Sequence, residues 1–375
     1  MKPKPVPKLL FLVTEDWYFC SHRLHIALAA KSAGYDVAVV TRLRKHRDVI
    51  EKFGIRVISF ENNRGSMNPF GELLTLLRLI RIYRRERPAF VHHVAMKPIL
   101  IGTIAACLAN RPRILNALAG MGSFSLSQRK LDLVLKPIFR ICVACLLRRG
   151  FVLVQNHDDE QLVVNLGICK ENIFRIPGSG IDLDHFSYRP ELTGTPVVLL
   201  TARLLWDKGL AEFVEAARQL RLKGISARFV IAGLADTANP RAVSDEDIAG
   251  WTASGWVEHL GFVEDTSDLL KQSHVVCLPS YREGIPKSLL EAASAGRPIV
   301  TTDTPGCREV VRDGENGFLV PVKDATALAD ALEKLILNPK LRERMGLQGR
   351  AIAEENFGLE TVAAQTLALY KRIFL

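Results

Sequence analysis

The chain has 375 residues, 48% of them hydrophobic and 24% charged, with a formal net charge of +10. That length allows two domains with separate cores, and the composition is ordinary for a globular protein. No segment approaches the roughly 20 apolar residues that span a bilayer, no signal peptide is evident behind the proline-rich start, and seven cysteines without metal spacing fit a reducing compartment.

Strand and helix signals alternate along the chain. Leu9 to Thr14 reads as a first strand, followed by a loop from Glu15 to Leu24 and a helix from Ser21, its cap, to Ala33. Further strands are expected at Tyr35–Thr41, Ile55–Phe60, Phe90–Val94, Arg113–Leu118 and Phe151–Gln155, with helices near 70–86, 98–109, 130–148 and 157–166. Cys142 and Cys145 fall inside the third of these helices and are expected to be small buried hydrophobes. Residues 175–190 interrupt the pattern with Gly and Pro. A second set of strands follows at Val197–Leu200, Arg228–Ala232, Trp256–Gly261, Val275–Leu278 and Ile299–Thr302, and helices near 324–336, 340–355 and 359–373 close the chain. The pattern predicts an α/β protein with two doubly wound parallel sheets: residues 1–178, a hinge at 179–194, and residues 195–355.

Charge separates the halves. Residues 1–190 hold 29 Lys and Arg against 15 Asp and Glu, whereas the rest hold 21 against 25. The excess is concentrated in residues 72–87 and 128–149, where arginines and lysines stand beside broad apolar faces. That combination fits an anionic membrane surface as partner. The plainer alternative is a pair of packed helices with solvated arginines near their ends. No aromatic platform accompanies the charge, so nucleic acid is not expected.

The most informative residues are Glu283 and Glu291, eight positions apart where a loop enters a helix. Gly284 lets backbone approach a ligand, and Pro286 suits the first helical position. The N–H groups of Lys287, Ser288 and Leu289 are then expected to be free for an anion such as a diphosphate, and Lys287 in the first turn points the same way. About 12 Å separates the two carboxylates along a helix, which suits hydroxyls at opposite ends of a polyol better than one shared proton or metal. Arg203 and Lys208, just after a strand, can both reach a diphosphate. A bare pair of glutamates, or two cations at a turn, would otherwise read as ordinary surface charge.

Glu283-Gly-Ile-Pro…Glu291-Ala…Gly296-Arg-Pro298 resembles the paired-glutamate signature of retaining glycosyltransferases of the GT-B fold, family 4. Thr201-Ala-Arg-Leu-Leu-Trp-Asp-Lys-Gly209 is similar to that family's phosphate-binding segment, and Leu260-Gly-Phe-Val263 to its base-contacting strand end. Asp303–Glu309 and Gly314–Leu319 match the closing part of its donor domain. The resemblance implies two Rossmann-like domains facing a central cleft, with the last helix (356–375) packed on the first. It also implies that Glu291 binds ribose hydroxyls and that Glu283 contacts the transferred sugar beside the backbone of Gly284, Ile285 and Pro286. Phe262 and Val263 would meet the base. Arg203 and Lys208 would stabilise charge on the leaving phosphate.

For the acceptor, His92, His93 and Lys97 sit at a strand end and its following turn, and His93 could orient or deprotonate a hydroxyl. Asp16, His22 and Arg23 in the first loop are further candidate contacts. Many relatives carry a histidine where this chain has Ala119, so that role is not carried over. Asp182-Leu-Asp184 reads as structural, and no metal or other cofactor is expected.

The expectation is a retaining transferase on the cytoplasmic face of the membrane. It would move a hexose or N-acetylhexosamine from a nucleotide diphosphate sugar, uridine-linked, to a polyprenyl-diphosphate-linked glycan in bacterial surface polysaccharide assembly. The alternatives are a nucleotide-sugar 2-epimerase of the same fold and a non-catalytic sugar-nucleotide or lipid-binding subunit. A dehydrogenase is disfavoured because no Gly-x-Gly-x-x-Gly follows the first strand.

Overall fold

The computed structural model describes residues 6–61, 69–109, 112–118, 130–236 and 239–374. They form two compact units, Met1–Ser179 with Glu360–Leu375, and Gly180–Leu359. The strands of the first are β1 (Lys8–Glu15), β2 (Asp36–Arg42), β3 (Arg56–Ser59), β4 (Phe90–Val94), β5 (Arg113–Ala117), β6 (Phe151–Val154) and β7 (Ile173–Arg175). They pair in the order β3-β2-β1-β4-β5-β6-β7, all parallel. The helices between them are α1 (Asp16–His22), α2 (Leu24–Ser32), α3 (Arg47–Lys52), α4 (Pro69–Glu86), α5 (Met96–Leu108), α6 (Lys130–Leu147) and α7 (His157–Asn165).

Helices on both faces explain why β1 reads as an unbroken apolar run. Leu9, Phe11 and Val13 point into a core shared with α2, while Leu10 and Leu12 point the other way into a core shared with α4 and α5. The strand's two-residue period sorts them.

The second unit contains β8 (Val197–Thr201), β9 (Arg228–Ala232), β10 (Glu258–His259), β11 (Val275–Leu278), β12 (Ile299–Thr302) and β13 (Gly317–Val320), parallel in the order β10-β9-β8-β11-β12-β13. Its helices are α8 (Leu210–Leu222), α9 (Asp245–Ala253), α10 (Ser267–Gln272), α11 (Lys287–Ser294), α12 (Cys307–Val310), α13 (Ala325–Ile336) and α14 (Pro339–Asn356). Side-chain oxygens cap three of them: Ser244 accepts from Asp247 N–H, Asp324 from Ala327 N–H and Asn338 from Leu341 N–H. The last helix, α15 (Leu359–Phe374), belongs from Glu360 onward to the first unit. There Tyr370 is fully buried, and its hydroxyl lies 2.7 Å from His92 Nδ1.

Residues 181–191 are held inside the second unit. Ile181 exchanges backbone hydrogen bonds with Phe357 and Leu359, Phe186 is buried, and Arg342 forks onto Glu191 at 2.8 and 2.7 Å. Asp182 Oδ1 accepts from the amides of Asp184 and His185, closing a turn.

Three local expectations are corrected. The stretch after β1 is helical rather than a loop, because Asp16 anchors it: one carboxylate oxygen accepts from Trp17 N–H, the other from the amides of Arg44, Lys45 and His46. Ser21 caps nothing; its hydroxyl donates back to the Trp17 carbonyl. Cys142 and Cys145 are exposed, since the phase of α6 turns Val143 and Leu147 inward.

Candidate functional site

Four segments of the second unit meet at the carboxyl ends of β8, β11 and β12, where an open parallel sheet forms its crevice. Thr201 ends β8, and the chain runs through a short 3₁₀ turn at Trp206–Lys208 into Gly209, whose φ is 72°. A Cβ there would lie 2.0 Å from the Pro279 carbonyl oxygen, so only glycine lets the two backbones approach this closely. The Asp207 carbonyl accepts from Tyr281 N–H at 2.8 Å and from the Ser280 hydroxyl at 3.0 Å. These contacts clamp the 203–209 segment to the one after β11.

The clamp brings Lys208 Nζ onto Glu283 Oε1 in a short, largely buried ion pair. Gly306 seals the far side: with φ at 78°, a Cβ would lie 1.9 Å from the Gly284 carbonyl oxygen. The Cys307 thiol beside it is pushed up to about 11 by burial and by the Glu283 carboxylate. It is protonated at neutral pH and is no nucleophile.

Glu291, on α11, is also largely buried. It accepts from the Thr266 hydroxyl at 2.9 Å, and Lys287 Nζ stands 3.9 Å from its other oxygen. Burial raises its carboxyl above the ordinary range, with Lys287 and Thr266 opposing the shift. His185 and Asp265, joined at 2.9 Å, lie nearby. Pro286 is the N-cap of α11 rather than its first residue, and its carbonyl accepts from Leu289 and Leu290. The Leu289 amide is therefore engaged, and the amides of Lys287 and Ser288 are those the first turn leaves without an intrahelical partner.

Arg203 is turned onto Asp236 at 2.9 Å and is half exposed, outside the Lys208–Glu283 pair. Phe262 is 68% exposed beside Val263, which is half-buried. Ile285 is half-buried in the loop that carries Glu283.

In the first unit the expected contacts divide sharply. His93 is fully buried between the Tyr83 hydroxyl at 3.0 Å and Asn116 Oδ1 at 2.9 Å, and burial lowers it to about 4. Both ring nitrogens are occupied and no surface is offered, so the expectation of an acceptor base is corrected: His93 is a core histidine. His92 is likewise buried, and burial holds its imidazole well below its usual range. Asp16, with its carboxylate committed to backbone amides, is a structural anchor rather than a ligand contact. Arg23 is buried at the break between α1 and α2. His22 stacks on Tyr18 at 4.1 Å, and Lys97 pairs with Glu72 at 2.8 Å. Ala119 lies outside the described residues.

Several residues were not singled out from sequence: Thr266, Asp236 and Gly306 at the site of the second unit, and, in the first unit, the strained Ala95. Ala95 carries φ 74° and ψ 163° at the turn between β4 and α5, a region that glycine alone enters freely. No signal at the sequence level joins Thr266 to Glu291, 25 residues away.

Comparisons with known proteins identify the family and the fold. The family described as Glycosyl transferases group 1 matches residues 185–352, and the one described as Glycosyl transferase 4-like matches residues 8–153. The N,N'-diacetylbacillosaminyl-diphospho-undecaprenol alpha-1,3-N-acetylgalactosaminyltransferase of Campylobacter jejuni is 30% identical, over 94% of this chain and 95% of that protein. The UDP-Gal:alpha-D-GlcNAc-diphosphoundecaprenol alpha-1,3-galactosyltransferase of Escherichia coli is 26% identical over 70% of each. Among solved structures, Anabaena HepE in complex with UDP superposes with a TM-score of 0.78 at 18% identity, covering 97% of this chain and all of that one. The sucrose-phosphate synthase of Thermosynechococcus elongatus reaches 0.80 at 20%, covering 98% and 99%. These structures establish the fold: two Rossmann-like parallel-sheet units of the GT-B type.

Proposed function

The chain belongs to the glycosyl transferase family of group 1 and 4-like enzymes, and we propose that it is a retaining hexosyltransferase. It moves a hexose or N-acetylhexosamine from a uridine diphosphate sugar to a polyprenyl-diphosphate-linked glycan at the inner face of the cytoplasmic membrane. The observation that carries the donor reading is the buried Lys208–Glu283 pair set one helix away from the buried Glu291. The acceptor reading is supported by the two relatives whose names specify undecaprenol-diphosphate-linked acceptors. Among the described residues, no helix is long and apolar enough to cross a membrane, which fits peripheral attachment. The relatives reported above are transferases, which does not favour the epimerase alternative.

In this reading the donor diphosphate takes Lys208 and the amides of Lys287 and Ser288, and Arg203 swings from Asp236 to join them. As the bond from the anomeric carbon to the leaving phosphate oxygen breaks, negative charge grows on that oxygen. A fixed ammonium and unpaired amides then stabilise it more than they stabilise the intact donor. Glu283, freed from Lys208 by the diphosphate, accepts from sugar hydroxyls, and Glu291 accepts from the ribose. The acceptor hydroxyl attacks from the face the phosphate leaves, its oxygen bonding to the anomeric carbon while its proton passes to the departing phosphate oxygen. No protein base is required, which accords with a buried His93. No metal or other cofactor enters this scheme.

Incubation with a panel of nucleotide sugars and a bacterial membrane lipid extract, followed by mass spectrometry, tests the proposal. A hexose or N-acetylhexosamine mass added to a lipid-linked glycan is the expected result. Conversion of the donor without acceptor would instead favour the epimerase, and donor binding without turnover a non-catalytic subunit.

A further inference from the structure

We propose that Thr266 is a positioning residue of the donor site: its hydroxyl fixes the Glu291 carboxylate in the orientation that accepts both ribose hydroxyls, and so sets a preference for a ribonucleotide. The inference rests on the assignment of Glu291 to the ribose made above, and it adds a residue that the glutamate signature does not contain.

Thr266 stands at the N-cap of α10, where a threonine ordinarily spends its side-chain oxygen on an amide of the helix it precedes. Here it makes no such bond. Asp265 serves that end instead, its Oδ1 accepting from Ser267 N–H at 2.9 Å. The same oxygen lies 2.9 Å from His185 Nε2, and His185 belongs to the turn that Asp182 closes. With the loop tied to α10 on one side and to residues 182–185 on the other, the Thr266 hydroxyl points across to α11. It donates there to Glu291 Oε2 at 2.9 Å. The hydroxyl therefore serves the carboxylate and not its own helix.

Glu291 needs such a partner. Its side chain is 12% exposed, and among the described residues Thr266 is the one hydrogen-bond donor to its carboxylate. Lys287 Nζ, one turn earlier, stops at 3.9 Å, beyond hydrogen-bond reach. Burial favours the neutral acid, which would present an O–H where the ribose requires an acceptor. A donor to the ionised form opposes that, and such charge-assisted bonds are roughly twice as strong as neutral ones. The hydroxyl also sets orientation, because the terminal torsion of a glutamate is otherwise broad. An ionised carboxylate offers about four lone-pair sites. Thr266 occupies one of them at Oε2, which leaves both oxygens able to accept from a vicinal diol.

Titration calorimetry of the full chain with UDP and with 2′,3′-dideoxy-UDP, which lacks both ribose hydroxyls, provides the test. The unaltered chain should bind UDP the more tightly. Thr266→Val keeps the side chain's shape and removes the hydroxyl; it should lower UDP affinity about tenfold and leave dideoxy-UDP affinity within about twofold. Thr266→Ser should keep most of the preference. Added to Glu291→Gln, Thr266→Val should reduce the preference no further, since the two residues act through one contact. An equal loss for both nucleotides in Thr266→Val, or a serine variant no better than the valine one, marks a merely structural threonine and overturns the proposal. An unchanged preference in Thr266→Val, where Glu291→Gln abolishes it, does the same and leaves the ribose assignment standing. If the unaltered chain binds the two nucleotides equally, or Glu291→Gln keeps the preference, the ribose assignment itself fails and this inference falls with it.

Discussion

Lys208 and Glu283 lie 75 residues apart in the chain, yet the ammonium of one rests on the carboxylate of the other. Neither charge could be left alone in so enclosed a position, so each holds the other ready until a ligand with its own anion and hydroxyls separates them. Lys208→Ala should cut kcat/KM by about 100- to 1,000-fold, the usual cost of removing a donor aimed at developing charge. Glu283→Gln should do comparable damage while leaving UDP affinity nearly unchanged. Steady-state kinetics beside UDP titration separates the two effects, and full activity in both variants would remove the donor-site assignment.

Glu291 should show the opposite balance between stability and binding. Its carboxyl is raised by burial, so the neutral form is favoured in the folded protein, and the ionised form costs stability as pH rises through the folded value. Glu291→Gln should therefore raise the melting temperature of the second unit at pH 8, an advantage that shrinks toward pH 4. The same change should weaken UDP binding. Calorimetry at the two pH values checks the first claim and titration the second.

His93 supplies an acid-sensitive element to the first unit. Its folded value of about 4 lies below the ordinary 6.5. The unfolded chain therefore takes up its proton first as pH falls, and stability fully present above pH 6.5 is lost progressively toward pH 4. The shift corresponds to about 3 kcal/mol over that window. His93→Gln should lower the melting temperature at pH 7.5 and flatten its decline below pH 6.5. The kcat per folded molecule should stay within about twofold, whereas a catalytic base would cost about 100-fold or more.

Two backbone positions make a contrasting pair. Gly209→Ala must push Pro279 away and so loosen the clamp that presents Lys208 to Glu283; a loss of about 2 kcal/mol with a raised donor KM is expected. Ala95→Gly relieves a conformation that costs about 1–3 kcal/mol and should raise the melting temperature, offset in part by the entropy glycine brings to the unfolded chain. Denaturant melts of both variants read the two signs.

Most of the sheet framework was legible because the buried strands are short apolar runs set between amphipathic helices. What escaped detection depended on partners far away in sequence. β13 begins at Gly317 and is a strand because β12 lies beside it. α1 is a helix because Asp16 reaches amides 28 to 30 residues on. The paired glutamates could be read from local spacing, but which cation each would meet could not: Lys208 takes Glu283, whereas Arg203 takes Asp236. His93 had the right residue type at a strand end, yet an inward-facing position on β4 sent it into the core.

The hydrogen bond between His92 and Tyr370 spans 278 residues, and it carries an implication for biosynthesis. The half of the protein made first cannot complete its interior until the ribosome has finished the final helix, whereas Gly180–Leu359 is one uninterrupted stretch and can mature as it emerges. A released chain truncated after Leu359 would thus hold every residue of the second unit beside a first one lacking Tyr370, and would be a ready client for chaperones and proteases.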